Sequence, residues 1–422
     1  MDSPTPPPSL TLTDADRQFV VDFRRDLHRH PELAFEEHRT AGRVADVLRE
    51  AGLEVRTGIA GTGVLGVLRG AGSAGAAGTS GSPGKTGKTG KTGKTGKTGR
   101  TILIRADMDA LPVQEAPGRP YGSQEPGKMH ACGHDGHTAM ALTAARVLAR
   151  SRERLPGNAV FAFQPAEETT GGAARMIQEG ALRDPRVDAA IGFHLANTLP
   201  VGQIAAQPGP ITAATDGFVL TITGKGGHAA RPHLSVDPVA VSFQVGTALH
   251  TLMTRERSPA QPAVLTIGAI HGGTAGNVIA DSVELRGTLR TYDPQLREHL
   301  RRRVEEVSTG IAVALRAGAR LEWDEGAYPP CVNNPDVTAL MQRAAVAVLG
   351  AEALVEHEPS LGGDDMAFFL AAVPGCYARL GSANAGAGLD APHHSARFDF
   401  DEAALPIGVQ VLVRATLDFL ST

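Results

Sequence analysis

Segments with helical periodicity alternate with short apolar runs along the first half of the chain. Residues 13–29 place their apolar side chains on one face behind a Thr13/Asp14 cap, and residues 39–51 repeat the pattern up to Gly52. Predicted strands follow at 101–107, 158–164 and 189–195, with predicted helices at 137–151 and 172–182. Apolar strands separated by helices predict a mainly parallel sheet that is covered on both faces.

The order of elements changes in the middle of the chain. The segments 216–223, 237–255, 263–271, 282–291, 294–317 and 319–324 are predicted to be strand, helix, strand, strand, helix and strand. This is the order of a small ferredoxin-like domain. Helices at 336–349 and 401–420 then resume the α/β pattern. We therefore predict an α/β catalytic domain, residues 13–209 and 326–422, interrupted by an inserted α+β domain at residues 210–325.

Two segments lack any apolar periodicity. Residues 1–12 are rich in proline and serine and are predicted to be a disordered tail. Residues 71–99 are rich in glycine and serine and end in five Lys-Thr-Gly repeats, which predicts a flexible insertion. The flanking apolar runs, 63–70 and 101–107, are expected to be two strands of one hairpin whose turn this insertion lengthens.

Composition and charge narrow the class of protein. Of the 422 residues, 42% are hydrophobic and 20% are charged, which is typical of a globular protein with a large core and enough length for two domains. A net charge of −4 gives no reason to expect nucleic acid or a membrane as partner. We find neither a signal peptide nor an apolar run of about 20 residues. Three scattered cysteines (Cys132, Cys331 and Cys376) fit a reducing compartment, so a cytoplasmic location is expected.

Candidate metal chemistry begins in the segment Met-His-Ala-Cys-Gly-His-Asp-Gly-His, residues 129–137. Cys132 and His134 lie two positions apart, so in an extended segment their side chains point to the same side. Thiolate and imidazole are both good ligands for zinc and neighbouring metals. The alternative interpretation is a buried structural cysteine beside solvent-facing histidines.

Three further clusters carry possible ligands. Glu167 and Glu168 follow a predicted strand, where open α/β sheets place their ligands, while His194 lies inside an apolar strand and residues 392–402 are rich in polar groups. Taken singly, these clusters are equally typical of an exposed helix start, a core histidine and a polar loop. Taken together, four clusters at or beyond strand ends predict one metal site at the mouth of the sheet.

Eight sequence blocks, in one order, resemble a known enzyme family. They are RRDLHRHPELAFEE (24–37), RADMDALPVQE (105–115), MHACGHDGHT (129–138), QPAEETTGGA (164–173), GKGGHAARPH (224–233), GGTAGNVIAD (272–281), GTLRT (287–291) and HSARFDFDE (394–402). Together they resemble the hippurate hydrolase, auxin-conjugate hydrolase and N-acyl-amino-acid amidohydrolase branch of the aminoacylase-type metallopeptidases. The resemblance implies a zinc-peptidase-like catalytic domain whose inserted ferredoxin-like domain serves as a lid and a dimerisation surface.

The same resemblance implies two divalent ions per chain (Zn, Mn, Co or Ni) and assigns roles by position. The implied metal ligands are Cys132, His134, Glu168, His194 and His394, with His393 as the rival for the last place. Glu167 matches the general base of the family. Asp107 and Asp109 are expected to orient the ligands from behind or to bind the metals directly.

Three positions of the inserted domain also match the family. His228 is implied to polarise the scissile carbonyl, often from the partner subunit, and Asn277 and Arg290 are implied to hold the substrate. An arginine suits a free carboxylate because it binds both oxygens at once. The alternative for Arg290 is a salt bridge on the surface of the sheet.

The resemblance and the residues together favour hydrolysis of the amide bond of N-acyl-L-amino acids, such as hippurate-like or N-acetyl substrates, in a homodimer or higher homo-oligomer. Glu167 would take a proton from a metal-activated water and deliver it to the departing amine. A dipeptidase or carboxypeptidase of the same family is the alternative enzyme. A metal-binding protein without activity is the alternative from another class, and it has no need of a carboxylate at Glu167 beside Glu168.

Overall fold

A computed structural model describes residues 11–71, 99–169 and 171–422 of the chain. Most of the predicted tail (1–10) and of the predicted insertion (72–98) lies outside these described residues. Leu12, which the predicted tail included, is buried in a hydrophobic core. Leu12 therefore belongs to the folded part of the chain, although the sequence placed it in the tail.

The described residues form nine helices and fifteen strands. The helices are α1 (Asp14–Arg29), α2 (His38–Glu50), α3 (His134–Ala149), α4 (Ala173–Gln178), α5 (Pro238–Arg255), α6 (Pro294–Ala314), α7 (Pro335–Leu349), α8 (Met366–Ala372) and α9 (Ala404–Leu420). The strands are β1 (Glu54–Ile59), β2 (Gly63–Arg69), β3 (Thr101–Asp107), β4 (Asn158–Gln164), β5 (Ala189–Pro200), β6 (Ile204–Ala205), β7 (Gly209–Thr212), β8 (Ala214–Thr223), β9 (Gly227–His228), β10 (Ala263–Gly272), β11 (Val278–Ile279), β12 (Ser282–Thr291), β13 (Gly318–Trp323), β14 (Cys331–Asn333) and β15 (Gly375–Ala383). Among these helices, none combines the length and the apolarity needed to cross a membrane.

Local sequence signals determine where several helices begin. Thr13 caps α1, because its hydroxyl accepts the N–H of Asp16 (3.2 Å) while the Asp16 carboxylate accepts the N–H of Thr13 (3.0 Å). Asp16 is buried and also binds Arg150 at 2.7 Å, which connects α1 to the end of α3. Helices α5, α6 and α7 each begin with a proline after an aspartate or asparagine cap.

The described chain divides into two compact units. The first contains the described residues up to Pro208 together with Asn333–His357 and Ala372–Thr422, and the second contains Gly209–Val332 and Glu358–Ala371. The limits 13–209, 210–325 and 326–422 that the sequence suggested for the domains stay a prediction.

The first unit is built on a seven-stranded mixed sheet with the order β1-β2-β4-β3-β5-β15-β6. Its central strands β4, β3, β5 and β15 are parallel to one another, and the outer strands β1, β2 and β6 pair antiparallel at the two edges. Every residue of β3 and β4 is buried, so both faces of the sheet are covered at its centre. The α/β fold class predicted from the sequence is confirmed, with the parallel pairing confined to the middle of the sheet.

The prediction that β2 and β3 pair as one hairpin is wrong. Strand β4 lies between them, paired antiparallel with β2 and parallel with β3. The turn-like composition of the connecting segment suggested direct pairing of the neighbouring strands. A strand from about fifty residues later in the chain takes that position instead, so the pairing could not be inferred from local sequence.

The second unit contains a four-stranded antiparallel sheet with the order β10-β12-β8-β13. Its chain order of strand, helix, strand, strand, helix and strand (β8, α5, β10, β12, α6 and β13) is the predicted ferredoxin-like order. Buried and partly exposed residues alternate along β8, and the buried ones pack with α5 and α6 in a separate hydrophobic core. A sheet with helices on one face explains this alternation.

Candidate metal centre

The segments that carry the predicted ligands all belong to the first unit. Strands β3, β4 and β5 run parallel, so their carboxyl ends meet at one edge of the sheet. Asp107 ends β3, Glu167 and Glu168 follow β4, and His194 lies on β5. Helix α3 begins at the same edge with His134. The sheet therefore brings together residues that are far apart in the sequence.

The prediction of an extended segment from Cys132 to His134 is wrong. Gly133 has a φ of 88°, in the left-handed region, and His134 is already the first residue of α3. The helix starts three residues earlier than predicted. Both side chains still contribute to one group with His194, in which one ligand atom from each lies within 4.8 Å of the others.

The His134 ring is prepared to act as a ligand. Its Nδ1 donates to the backbone carbonyl of Asp109 at 2.9 Å, which leaves Nε2 as the nitrogen with a free lone pair. Nε2 is buried and makes no hydrogen bond within the described residues. Asp107, Glu167 and Glu168 each place an oxygen 3.7–3.9 Å from it. A buried nitrogen surrounded by carboxylates fits a divalent cation between them.

The ring of His194 is oriented in the same way, by a hydrogen bond from Nδ1 to a backbone carbonyl. Its Nδ1 donates to the carbonyl of Leu195 at 2.6 Å, and its Nε2 lies 3.6 Å from the Sγ of Cys132. Glu168 in turn lies 3.2 Å from the Nε2 of His394. The donor atoms of Cys132, Glu168 and His394 form a second group within 4.8 Å of one another.

The groups of possible ligands overlap, as a two-ion site would require. Cys132 is shared by the group with His194 and the group with Glu168, and Glu168 also belongs to a third group with His134 and Glu167. Nitrogen, sulfur and oxygen donors in such a set are those of zinc and its neighbours in the first transition row. The set thus fits the implied metals on the chemistry of its donors.

The positions of His393 and His394 differ in a way that bears on the last ligand. His393 packs against Phe398, with ring centroids 4.6 Å apart, and its Nε2 faces the backbone N–H of Asn197 at 3.5 Å. His394 instead adopts a φ of 65° and directs its ring to Glu168. The geometry favours His394 over His393 as the ligand.

The electrostatics of the site favour a cation. Burial raises the pKa of the Cys132 thiol well above its ordinary value, and Glu168 raises it further. Burial lowers the pKa of His134, but the Asp107 and Asp109 carboxylates outweigh this and hold that pKa well above its usual range. Burial also tends to raise the pKa of Glu168, but contact with His394 gives a net lowering. Negative charge concentrated around buried imidazoles is the environment that a divalent metal neutralises.

Asp107 and Asp109 support the site from behind. One oxygen of Asp107 contacts His137 Nδ1 at 2.6 Å and the other binds Arg105. Burial opposes the charged form of Asp107, yet the Arg105 guanidinium keeps its pKa well below the usual value. Asp109 uses its two oxygens to accept the backbone N–H groups of Glu167 and Glu168, each at 3.0 Å. Carboxylates occupied in this way orient the neighbouring groups.

His137 is a supporting residue that the sequence did not single out. Its Nδ1 donates to Asp107, and its Nε2 accepts the backbone N–H of Leu195 at 2.9 Å. With both nitrogens in use, it connects β3, α3 and β5 and is a poor candidate ligand. The dense histidine pattern of residues 129–137 marked the segment, but the role of each ring depends on partners in distant strands.

A buried ion cluster centred on Arg24 lies beside the ligand segments. Arg24 is fully buried and contacts Asp135 and Asp399, each at 2.8 Å. Asp135 follows His134 in α3, and Asp399 lies five residues after His394. The cluster therefore ties two ligand-bearing segments to α1. The sequence contained these residues in its family-like blocks but gave no signal of their contact.

The three predicted residues of the inserted domain lie in the second unit. His228 ends the short strand β9, which pairs with β11, and its backbone is opposite Val278. Asn277 precedes β11, and its carbonyl accepts the N–H of Ala229 at 3.1 Å. Arg290 lies on β12 and is half-buried, and burial lowers its pKa.

Comparison with known proteins identifies the family of the chain. Residues 103–418 match the model of peptidase family M20/M25/M40. The chain is 36% identical over 393 residues to thermostable carboxypeptidase 1 of Saccharolobus solfataricus, with 92% of both chains covered. It is also 36% identical over 398 residues to N-acetyl-L-cysteine deacetylase of Bacillus subtilis, covering 94% of this chain and 86% of that protein.

A solved structure shares the architecture as well. The YxeP protein of Bacillus subtilis, described as a dinuclear metal-binding peptidase, superposes with a TM-score of 0.81 at 32% identity and covers 97% of this chain and 100% of that one. On these grounds the chain belongs to peptidase family M20/M25/M40.

Proposed function

We propose that the chain is a metal-dependent amidohydrolase that cleaves the amide bond of N-acyl-L-amino acids. The observation that carries the proposal is the position of Glu167, whose carboxylate oxygen lies 3.9 Å from His134 Nε2, within the same group of donor atoms as Glu168. Its side chain is largely buried, at 10% exposed, and lies next to His134 and Glu168 in that group. A carboxylate placed there serves as a base rather than as structural support.

Two divalent ions would be held by the overlapping donor groups. The proposed ligands are Cys132, His134, Glu168, His194 and His394. When bound, such ions polarise the amide carbonyl and lower the pKa of water. The dinuclear character of the YxeP protein supports two ions rather than one.

The chain's own residues would perform the proton transfers and hold the substrate. Glu167 accepts a proton from the attacking water and returns it to the nitrogen of the departing amine. Asp109 holds the backbone of Glu167, which limits the movement of its carboxylate between these two steps. We further propose that His228 polarises the scissile carbonyl and that Asn277 and Arg290 bind the substrate.

The role of Arg290 is supported by the arrangement of its neighbours. Asp216, the acidic group that acts on its pKa, is bound by Arg297 at 2.8 Å and by Arg301 at 2.6 Å. The sheet-surface salt bridge considered from the sequence is thus made by two other arginines. Arg290 is half-buried and is not the principal partner of Asp216. Its guanidinium is therefore suited to bind the free carboxylate of the amino acid that the reaction releases.

The two named relatives support two different classes of substrate. The deacetylase of Bacillus subtilis supports a simple acyl group on the carbonyl side of the scissile bond, whereas the carboxypeptidase of Saccharolobus solfataricus supports a peptide. Both reactions release an amino acid with a free carboxylate. They differ in whether the carbonyl side of the scissile bond belongs to a simple acyl group or to an amino acid with its own amine.

The test is to measure metal content by mass spectrometry and amine release from a panel of substrates on the purified protein. The panel pairs each N-acetyl- or N-benzoyl-amino acid with a dipeptide that has the same C-terminal residue. We expect about two metals per chain and chelator-sensitive hydrolysis of the acylated members. Preferred hydrolysis of the dipeptides would replace the proposal with the peptidase alternative, and absence of metal after reconstitution would refute the site.

We also propose that the protein is a cytoplasmic homodimer that associates through the second unit. Strand β10 is an edge of its sheet, and Val264 and Ile270 on that strand are exposed, as is Phe243 on α5. An apolar edge strand that stays exposed is a template for pairing with another chain. Light scattering on the sample used for the metal assay distinguishes dimer from monomer.

The cytoplasmic location is supported by Cys132, which is unpaired and has to stay reduced to bind metal.

A further inference from the structure

Three consecutive backbone N–H groups in the turn after β4 are each accepted by a carboxylate. Glu37 Oε1 accepts the N–H of Ala166 at 2.9 Å. Asp109 accepts those of Glu167 and Glu168, both at 3.0 Å. The two acceptors come from separate parts of the chain, since Asp109 follows β3 and Glu37 immediately precedes α2. The turn that carries the proposed base is therefore held from two sides.

Ala166 requires such an interaction because of its backbone conformation. Its φ is 57°, in the left-handed region that a residue with a Cβ atom disfavours. The residue is fully buried, and its carbonyl accepts the N–H of Gly171 at 3.0 Å, which closes the turn. Without a partner that favours this conformation, an alanine would relax to a negative φ and redirect the next side chain.

Glu37 is placed specifically for this contact. It stands at the position that caps α2, but its side chain makes no capping hydrogen bond. It is fully buried, and its second oxygen accepts the hydroxyl of Thr62. A buried carboxylate is unfavourable unless its oxygens are hydrogen-bonded. The partners of Glu37 are Thr62 and the backbone of Ala166, so its burial serves the turn and not the helix.

We propose that Glu37 is a positioning residue, whose carboxylate holds Ala166 in the left-handed conformation and thereby aims the Glu167 carboxylate at the reacting water. The inference rests on the proposed function, because Glu167 is its base. Glu37 does not belong to the groups of donor atoms identified in the described residues. Glu37 is therefore expected to affect the orientation of the Glu167 side chain and not the binding of metal.

The first test compares two substitutions at position 37. Glu37→Ala is expected to lower kcat by about 10- to 100-fold, since a misplacement of about 1 Å can cost that much, while KM and metal content stay near the wild-type values. Glu37→Gln keeps an oxygen for the N–H of Ala166 and an amide for Thr62, so its kcat should stay within about fivefold. Glu37→Met, which fills the same volume, replaces Glu37→Ala if that variant does not fold.

A second substitution separates positioning from stability. Glycine adopts a positive φ readily, so adding Ala166→Gly to Glu37→Ala is expected to restore part of the lost kcat, by about threefold or more. A residue that only stabilised the fold would not give this rescue. Asp16→Ala is the matched control, because Asp16 is also a buried carboxylate that accepts a backbone N–H, here at the start of α1. It should lower the midpoint of thermal unfolding and leave kcat unchanged.

Crystal structures of the same variants give a readout that does not depend on activity. In Glu37→Ala, residue 166 is expected to leave the left-handed region, and the inference is overturned if its φ is unchanged. It is equally overturned if Glu37→Ala has wild-type kcat, or if kcat and metal content fall together without rescue by glycine. Failure of the proposed function would be recognised separately, because the wild-type protein would then hydrolyse no N-acyl-amino acid in the panel.

Discussion

Replacing Glu167 with glutamine is expected to lower kcat by about 10²- to 10⁴-fold and to leave the metal content unchanged. Glutamine has the same shape but takes no proton from water at neutral pH. The backbone N–H of residue 167 would still bind Asp109, so the turn keeps its conformation. The loss should therefore appear in kcat, measured by amine release, with little change in KM.

The adjacent carboxylate supplies the control for this experiment. Glu168 lies 3.2 Å from His394 and shares donor groups with Cys132 and His134, so Glu168→Gln should lower the metal content as well as the activity. The two variants are at adjacent positions, and each replaces one carboxylate oxygen by an amide nitrogen. A Glu167→Gln variant with wild-type kcat would show that another group is the base, and one that lost its metal would make Glu167 a ligand.

Much of the catalytic unit could be predicted because its signals are local. Strands β3 and β4 are continuous apolar runs, and their bounds agree with the prediction residue for residue. The predicted cap at Thr13 also agrees with the observed start of α1 at Asp14. The parallel order of the central strands then follows from the alternation of strand and helix, and it alone brings the candidate ligands to one edge.

The rest depended on contacts between distant residues. Strand β4 separates β2 from β3, although the chain joins those two strands directly. The extended segment expected before α3 failed because Gly133 adopts a left-handed conformation, which periodicity does not reveal. The contact between Glu37 and Ala166 spans 129 residues. A single sequence shows the residue types of such pairs but not which of them meet.

The buried cluster around Arg24 is the clearest case of a long-range contact, and it leads to the largest expected effect on stability. Arg24 contacts Asp135, 111 residues later in the chain, and Asp399, 375 residues later, and it stacks over the ring of Phe400 at 4.3 Å. Burial opposes its charge, but Asp135 and Asp399 raise its pKa above the ordinary value. The guanidinium thus compensates two carboxylates that are themselves almost fully buried.

Arg24→Met is therefore expected to lower the free energy of unfolding by about 3–5 kcal/mol, measured by urea titration with circular dichroism at a fixed metal concentration. Methionine fills the space but removes the guanidinium from Asp135 and Asp399, whose remaining basic partners are His28 and Arg119 respectively. Arg25→Met is the matched control, because Arg25 binds Glu402 with a side chain that is 38% exposed, and such pairs contribute about 1 kcal/mol or less. Adding Asp135→Asn to Arg24→Met removes the charge of one carboxylate that has lost the guanidinium, so the double variant should lose less stability than the sum of the two single variants. Equal losses for Arg24→Met and Arg25→Met would contradict the cluster's role and leave the ligand segments to be held by the sheet alone.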